Sequence, residues 1–182
     1  MRELALHILD IAQNSLAAGA SLLTITINEN LAADLLTIEI SDNGRGIPTA
    51  QLPQLTNPFF TSRVTREVGL GLPLLAQAAQ RAEGHLEIDS KVGSGTKVTA
   101  TFRHSHLDRA PLGDLIGTLL SIITLNPKVD LIYQHHFRNR TFLFDTREIK
   151  HELGAVAINP PTVIHWLQGF LRAELDDLYG GE

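Results

Sequence analysis

The spacing of apolar residues switches between the helical and the strand period in a set order along the first part of this chain. That order limits the folds open to it. Leu4, Ile8, Ile11 and Ala12, with Leu16 a turn later, recur at helical spacing over residues 3–18. Leu23, Ile25 and Ile27 then alternate with Thr24 and Thr26, and Leu36, Ile38 and Ile40 alternate with Thr37 and Glu39. Both patterns suit strands buried on one side. Helical spacing returns over Leu70 to Ala82. His85–Lys91 and Lys97–Arg103 then alternate again around Gly93-Ser94-Gly95, a hairpin signal. The order helix, two strands, irregular stretch, helix, two strands is that of an α+β domain.

Composition narrows the function classes. The 182 residues are 43% hydrophobic and 19% charged, which is ordinary for a globular chain and too apolar for a disordered one. A net charge of −5, from 15 Lys+Arg against 20 Asp+Glu, argues against a broad nucleic-acid footprint. Zero cysteines exclude disulfides, thiolate metal sites and cysteine nucleophiles. Arg2, Glu3 and Asp10 break the first apolar stretch, so it does not read as an export signal. The longest apolar run, Leu115 to Leu125, has 11 residues, short of the roughly 20 that span a membrane. The expected location is the cytoplasm.

Composition shifts near residue 104. Six of the eight histidines lie at or beyond it, and polar residues with a proline interrupt the periodic segments from His104 to Pro111. The expected division is 1–103 and 104–182. In the second part, Leu112–Leu125 reads as a buried helix, and Val129–Phe137 and Arg140–Asp145 as strands turning at Arg138-Asn139. Asn159 before Pro160-Pro161 reads as the cap of a final helix. That helix carries Val163, Leu167, Phe170, Leu171, Leu175 and Leu178 on one side, with Trp166 off the stripe. His104 and His106 are spaced to share a strand face, and they and the adjacent His135-His136 read as structural rather than metal-binding.

Three segments carry candidate chemistry. Asp10 and Asn14 lie one turn apart on the first helix, with His7 a turn earlier. A carboxylate and an amide oxygen are hard ligands suited to magnesium or a positioned water, although a solvated polar face has the same look. Ser41-Asp42-Asn43-Gly44-Arg45-Gly46-Ile47 follows a strand directly. Its alternate glycines allow close backbone approach to a ligand, and the same residues make a good tight turn. Val68-Gly69-Leu70-Gly71-Leu72 opens a helix and would present unpaired N–H groups to an anion. It is not a Rossmann fingerprint, and the chain has no Walker A pattern.

Taken in order with Asn57-Pro58-Phe59-Phe60-Thr61 and Gly93-x-Gly95-Thr96, these segments resemble the ATP-binding domain of the GHKL superfamily, which includes gyrase, the heat-shock chaperone, histidine kinases and mismatch-repair ATPases. Residues 58–102 are most similar to histidine kinases, and the resemblance covers 1–103. It implies a Bergerat-type α/β sandwich, a mixed sheet with helices on one face, to which a small α+β extension is added. It also implies ATP and Mg2+ as ligands. By the same resemblance Asn14 would ligand the magnesium, and Asp10 falls where many members place a general base. Asp42 would read the adenine amino group, with Gly44, Gly46 and Ile47 beside it and Thr96 acting with it through water. Phe60 and Thr61 would lead into the lid, and Gly69, Leu70, Gly71 and Leu72 would form the hinge and the helix start facing the phosphates.

The departures are also informative. Glu67 and Val68 stand where kinases usually carry a glycine and a hydroxyl residue, and Ala17 stands where a basic residue often follows the asparagine. Neutralising phosphate charge then falls to Arg63 and Arg66. No phosphoacceptor hairpin precedes the Asn14 helix, so the acceptor is expected on another protein. Only eight residues separate Phe60 from Gly69, a short lid that favours phosphoryl transfer to a partner. Asp10, one methylene shorter than glutamate, implies slow hydrolysis. The expected function is a kinase-type domain of two-component character, working in trans or as an ATP-dependent switch. The alternatives are an anti-sigma-type serine kinase and a non-catalytic ATP-gated scaffold. Expected partners are ATP and a separate protein, with a homodimer open to it, and neither nucleic acid nor membrane.

Overall fold

In the computed structural model, residues 3–55 and 71–180 are described. Helix α1 (Leu4–Ala17) is followed by β1 (Leu22–Asn30) and β2 (Leu35–Asp42), then a 3-10 turn and the single-turn α2 (Leu52–Leu55). Next come α3 (Gly71–Arg81), β3 (Leu86–Lys91), β4 (Gly95–Arg103) and α4 (Leu115–Leu125). The chain ends with β5 (Asp130–Phe137), β6 (Arg140–Asp145), α5 (Thr146–Leu153) and α6 (Pro161–Leu178).

The six strands form one mixed sheet in the order β3-β4-β2-β1-β5-β6. β1 pairs antiparallel with β2, setting Ile25 opposite Ile40, and β2 pairs antiparallel with β4, setting Asp42 opposite Thr96. Because strand side chains alternate, this register sends Leu23, Ile25, Ile27, Leu36, Ile38, Ile40, Val98, Ala100 and Phe102 to one buried face. Thr24, Thr26, Thr37, Thr99 and Thr101 go to the other face, while Thr96 shares the face of Val98. α1 lies on the buried face against β2, flanked by α3 and α4, and α6 lies beyond α4 against β6. Leu4, Ile8, Ile11, Ala12 and Ser15 are the buried stripe of α1, the i, i+3, i+4 set expected of a helix on a sheet.

Residues 104–182 continue this sheet. β5 joins the free edge of β1 in parallel, with Tyr133 opposite Ile25, and β6 adds antiparallel to β5. The connection between β4 and α4 also completes α1: Leu4 and Ala5 donate their N–H groups to the carbonyls of Pro111 and Leu112 at 2.9 and 2.8 Å. Two of the orphan donors at the helix start are thus satisfied by the extension.

At the far end of β1 a polar cluster ties the two parts together. Glu29 Oε1 accepts from His135 Nε2 at 2.9 Å and from the Tyr179 hydroxyl at 2.6 Å, and its Oε2 accepts from His104 Nε2 at 2.9 Å. The strand ends at Arg103, so His104 and His106 sit in the following turn and not on a strand face. α4 begins at Leu115, later than the apolar run suggests, because Asp114 caps it by accepting from Gly117 N at 2.8 Å. α5 is a helix that periodicity did not reveal. Asn159 does not cap α6: Pro160 holds that position, and Asn159 Nδ2 instead donates to the Thr124 carbonyl at 3.5 Å. Among the described residues no helix is long and apolar enough to cross a membrane.

Candidate functional site

Four elements meet at one end of the sheet: the C-terminal half of α1, the end of β2, the start of α3 and the β3–β4 hairpin. Asp42 is the last residue of β2, and both oxygens of its carboxylate are held. Oδ2 accepts from Ser15 Oγ at 2.6 Å, and Oδ1 accepts from Gly44 N at 2.8 Å. Asn43 fixes the strand end to β1, its Oδ1 accepting from Ser21 N and Leu22 N at 2.9 Å each. The Asp42–Ile47 segment is therefore a turn, and it is docked on both sides. Arg45 N donates to the Ala18 carbonyl at 3.0 Å, and Gly93 N donates to the Arg45 carbonyl at 2.8 Å.

Two glycines make this docking possible. Gly46 has φ +69° and would put a Cβ into the Lys91 carbonyl; Gly95 has φ +96° and would put one into the Asp42 carbonyl. Each position needs both the left-handed backbone and the missing side chain. Ser90 holds the join from within. Its Oγ accepts from Ile47 N at 2.8 Å, reaches the Gly95 carbonyl at 2.9 Å and contacts Thr96 Oγ1 at 2.8 Å.

A cavity opens between these elements. Asn14, Asp42, Gly46, Ile47, Leu72 and Thr96 all line it, with Ile11, Ser15 and Val98 among the further walls. Its apolar walls, with Asp42, Thr96, Ser15, Asn14 and Arg45 as the polar members of the lining, suit a flat heteroaromatic ring with a polar edge. Asp10 lies outside this lining, one turn back along α1. A Cβ on Gly71 would stand 3.0 Å from Asp10 Cβ and 3.5 Å from its Oδ2. The Asp10 carboxylate thus sits beside the start of α3, where helix N–H groups lack intrahelical partners. His7, a turn earlier, is buried at 2% exposure. Burial is the largest effect on its pKa and lowers it, while Asp10 pulls the other way.

Of the residues read from the sequence, Asn14, Asp42, Gly46, Ile47, Leu72 and Thr96 share the cavity, Gly44 holds Asp42 from behind, and Asp10 and Gly71 adjoin one another. Phe60, Thr61, Arg63, Arg66, Gly69 and Leu70 lie outside the described residues. Ser15 and Ser90 were missed. Ser15 falls on the apolar stripe of α1, where a hydroxyl needs a partner. Ser90 is the buried residue of β3.

The family model described as "Histidine kinase-, DNA gyrase B-, and HSP90-like ATPase" matches residues 1–106, more than half of the chain. The chain belongs to this family, and its matched part is an ATP-binding domain of the histidine-kinase type. It is 33% identical over 85 residues to the "Putative sensor protein" of Shewanella frigidimarina (strain NCIMB 400), covering 46% of this chain and 13% of that protein. It is 37% identical over 78 residues to the "Probable C4-dicarboxylate sensor kinase" of Bacillus subtilis (strain 168), covering 43% of this chain and 15% of that protein. To "Sporulation kinase C" of the same organism it is 30% identical over 88 residues, covering 48% of this chain and 20% of that protein. The aligned stretches thus span a fifth or less of these relatives. A solved structure described as "Crystal Structure of N terminal domain of a DNA repair protein" shares the fold at TM-score 0.56 and 16% identity, covering 85% of this chain and 58% of that one. That likeness reaches past residue 106 into the extension.

Proposed function

We propose that this chain binds ATP with magnesium and presents the γ-phosphate to a side chain on a separate protein. The observation that carries the reading is the held carboxylate of Asp42, lining one cavity with Asn14, Leu72 and Thr96. A carboxylate fixed by two donors, in a slot walled also by Ile11, Ile47, Leu72 and Val98, is suited to accept from the exocyclic amino group of adenine. Asn14, farther along α1, then faces the phosphate end.

Among the described residues no three His, Asp or Glu side chains group as a metal site. Magnesium would be held by the Asn14 amide oxygen together with phosphate oxygens, the arrangement this ion prefers over an all-protein cage. Bound there, it would screen phosphate charge. Asp10, beside the start of α3, is placed to hold a water or a proton at the phosphate end, and the α3 N–H groups to offset phosphate charge. Arg63 and Arg66 are proposed to add to this from the lid.

The relatives named as sensor kinases support phosphoryl transfer as the reaction class. His7 is buried on α1 and is not available as an acceptor. Residues 1–103 would hold the nucleotide, and 104–182 would buttress it and offer the partner or a second copy a surface. The cytoplasm is the proposed location, where ATP is available.

The test is incubation of the protein with γ-labelled Mg-ATP and a histidine-bearing receiver partner. Acid-labile label on the partner is the expected result, and acid-stable label would mark a serine kinase. Nucleotide-dependent complex formation with no label on either protein would replace transfer with a scaffold role.

A further inference from the structure

The hydroxyl of Ser90 makes three contacts, and counting its hydrogen decides the polarity of the cavity. A serine hydroxyl has one hydrogen to donate and two lone pairs to accept. The Gly95 carbonyl only accepts, so the 2.9 Å contact spends Ser90's single hydrogen. Ile47 N only donates, so the 2.8 Å contact fills one lone pair. The third contact, with Thr96 Oγ1 at 2.8 Å, is then a hydrogen bond only if Thr96 donates. All three are satisfied together in this one arrangement, and Ser90 is buried at 8% exposure, where a hydroxyl is held to its protein partners.

Thr96 thereby loses its freedom as a donor. Its hydrogen points to Ser90, and its lone pairs are what it offers to the cavity it lines. Ser15 is in the same position: its hydrogen goes to Asp42 Oδ2. Asp42, directly opposite Thr96 across the β2–β4 ladder, accepts only. Three side chains of the lining, Asp42, Thr96 and Ser15, therefore face the cavity with no hydrogen to donate.

We infer that Ser90 is a specificity-determining positioning residue, which orients the Thr96 hydroxyl so that the cavity accepts a purine edge carrying an amino group and rejects one carrying a carbonyl. An adenine 6-amino group brings two N–H donors to this rim. Placed against Asp42, Thr96 and Ser15, a hypoxanthine or guanine 6-carbonyl would meet oxygens with no hydrogen to give; the donors of the lining, Asn14 and Arg45, are other side chains. This inference rests on the proposed ATP binding and adds to it the device that selects the base.

The test is calorimetric titration of the full chain with Mg-ATP and Mg-ITP, whose bases differ at the 6-position and in the N1 hydrogen. In the wild type ATP should bind at least about tenfold tighter than ITP, the effect of facing one buried acceptor with another. In Ser90→Ala, Thr96 is free to turn its hydrogen into the cavity. The ITP-to-ATP ratio of dissociation constants should fall about tenfold, and adding Thr96→Val should abolish that relative gain for ITP. Loss of affinity for both nucleotides in proportion, with the ratio unchanged, would make Ser90 merely structural and overturn the inference. If Ser90→Ala does not fold, Ser90→Cys, close in size but weak in hydrogen bonding, should shift the ratio the same way. A wild type that binds neither nucleotide would instead sink the proposed function, a result distinct from an unchanged ratio.

Discussion

Replacing Glu29 by glutamine should destabilise the protein by an amount that depends on pH. Glu29 is 7% exposed and its carboxylate receives three hydrogen bonds, from His135, Tyr179 and His104. Burial alone would push its pKa up, but those donors outweigh burial and bring it from an ordinary 4.5 down to about 2. A group whose folded pKa is depressed contributes stability above its unfolded pKa and loses it as pH falls through the folded value. At about 1.4 kcal/mol per unit, the contribution is about 3 kcal/mol at neutral pH, and it fades between about pH 4.5 and pH 2. The glutamine amide would turn its own N–H donors toward one of the three donors, so most of this stability should be absent from Glu29→Gln at any pH. Urea unfolding from pH 7 to pH 2 measures both proteins. Asp34 is held low in the same window by Arg103 and Ser105, but it is common to both proteins and cancels in the difference. The wild type should lead by about 3 kcal/mol at pH 7, and the lead should close as the pH approaches 2. A lead that stays constant across the range would refute the reasoning.

Other substitutions probe the nucleotide end. Gly95→Ala should cost more than about 2 kcal/mol, since it combines a left-handed φ with a collision at the Asp42 carbonyl; thermal unfolding at a wild-type midpoint would contradict the close approach. Ser15→Ala removes the 2.6 Å donor to Asp42 and should weaken Mg-ATP binding about five- to tenfold by titration. Unchanged affinity would show that Gly44 N alone holds the carboxylate. Arg63→Ala should lower ATP affinity or turnover, and no change in either would remove Arg63 from the proposed site.

The parts of the fold legible in the sequence are those whose information is local. α1, the β1–β2 pair, α3 and the β3–β4 hairpin each carry their own period, and the glycine turns between them mark their ends. The docking of β5 on β1 is different: it pairs Ile25 with Tyr133, and nothing in either strand's alternation names a partner so distant in the chain. α5 escaped because it is short and mostly polar, with Thr146 its buried residue, although Asp145, which accepts from Arg147 N at 2.9 Å, and Gly154 mark both ends. Asn159 misled because a capping residue type followed by proline looks like a helix start. Its amide was instead drawn to the Thr124 carbonyl.

The candidate site divides in the same way. Asn14, Asp42, the glycines and Thr96 stand out by residue type and spacing. Ser15 and Ser90 touch the site through other residues, and a serine in a periodic segment has no signature until its neighbours in space are known. Buried hydroxyls on an apolar helix stripe or an inward strand position are the signal to look for, because each must find a partner.

Magnesium-dependent ATP binding by calorimetry, with wild type beside Asn14→Ala and Asp42→Asn, tests the central claim most directly. Asp42→Asn exchanges one acceptor oxygen for a donor at the adenine end, and Asn14→Ala removes the amide at the phosphate end. Binding in the wild type that both variants lose, with their thermal unfolding near that of the wild type, is the predicted result. Equal binding by all three proteins, or no binding by the wild type at millimolar ATP, would contradict it.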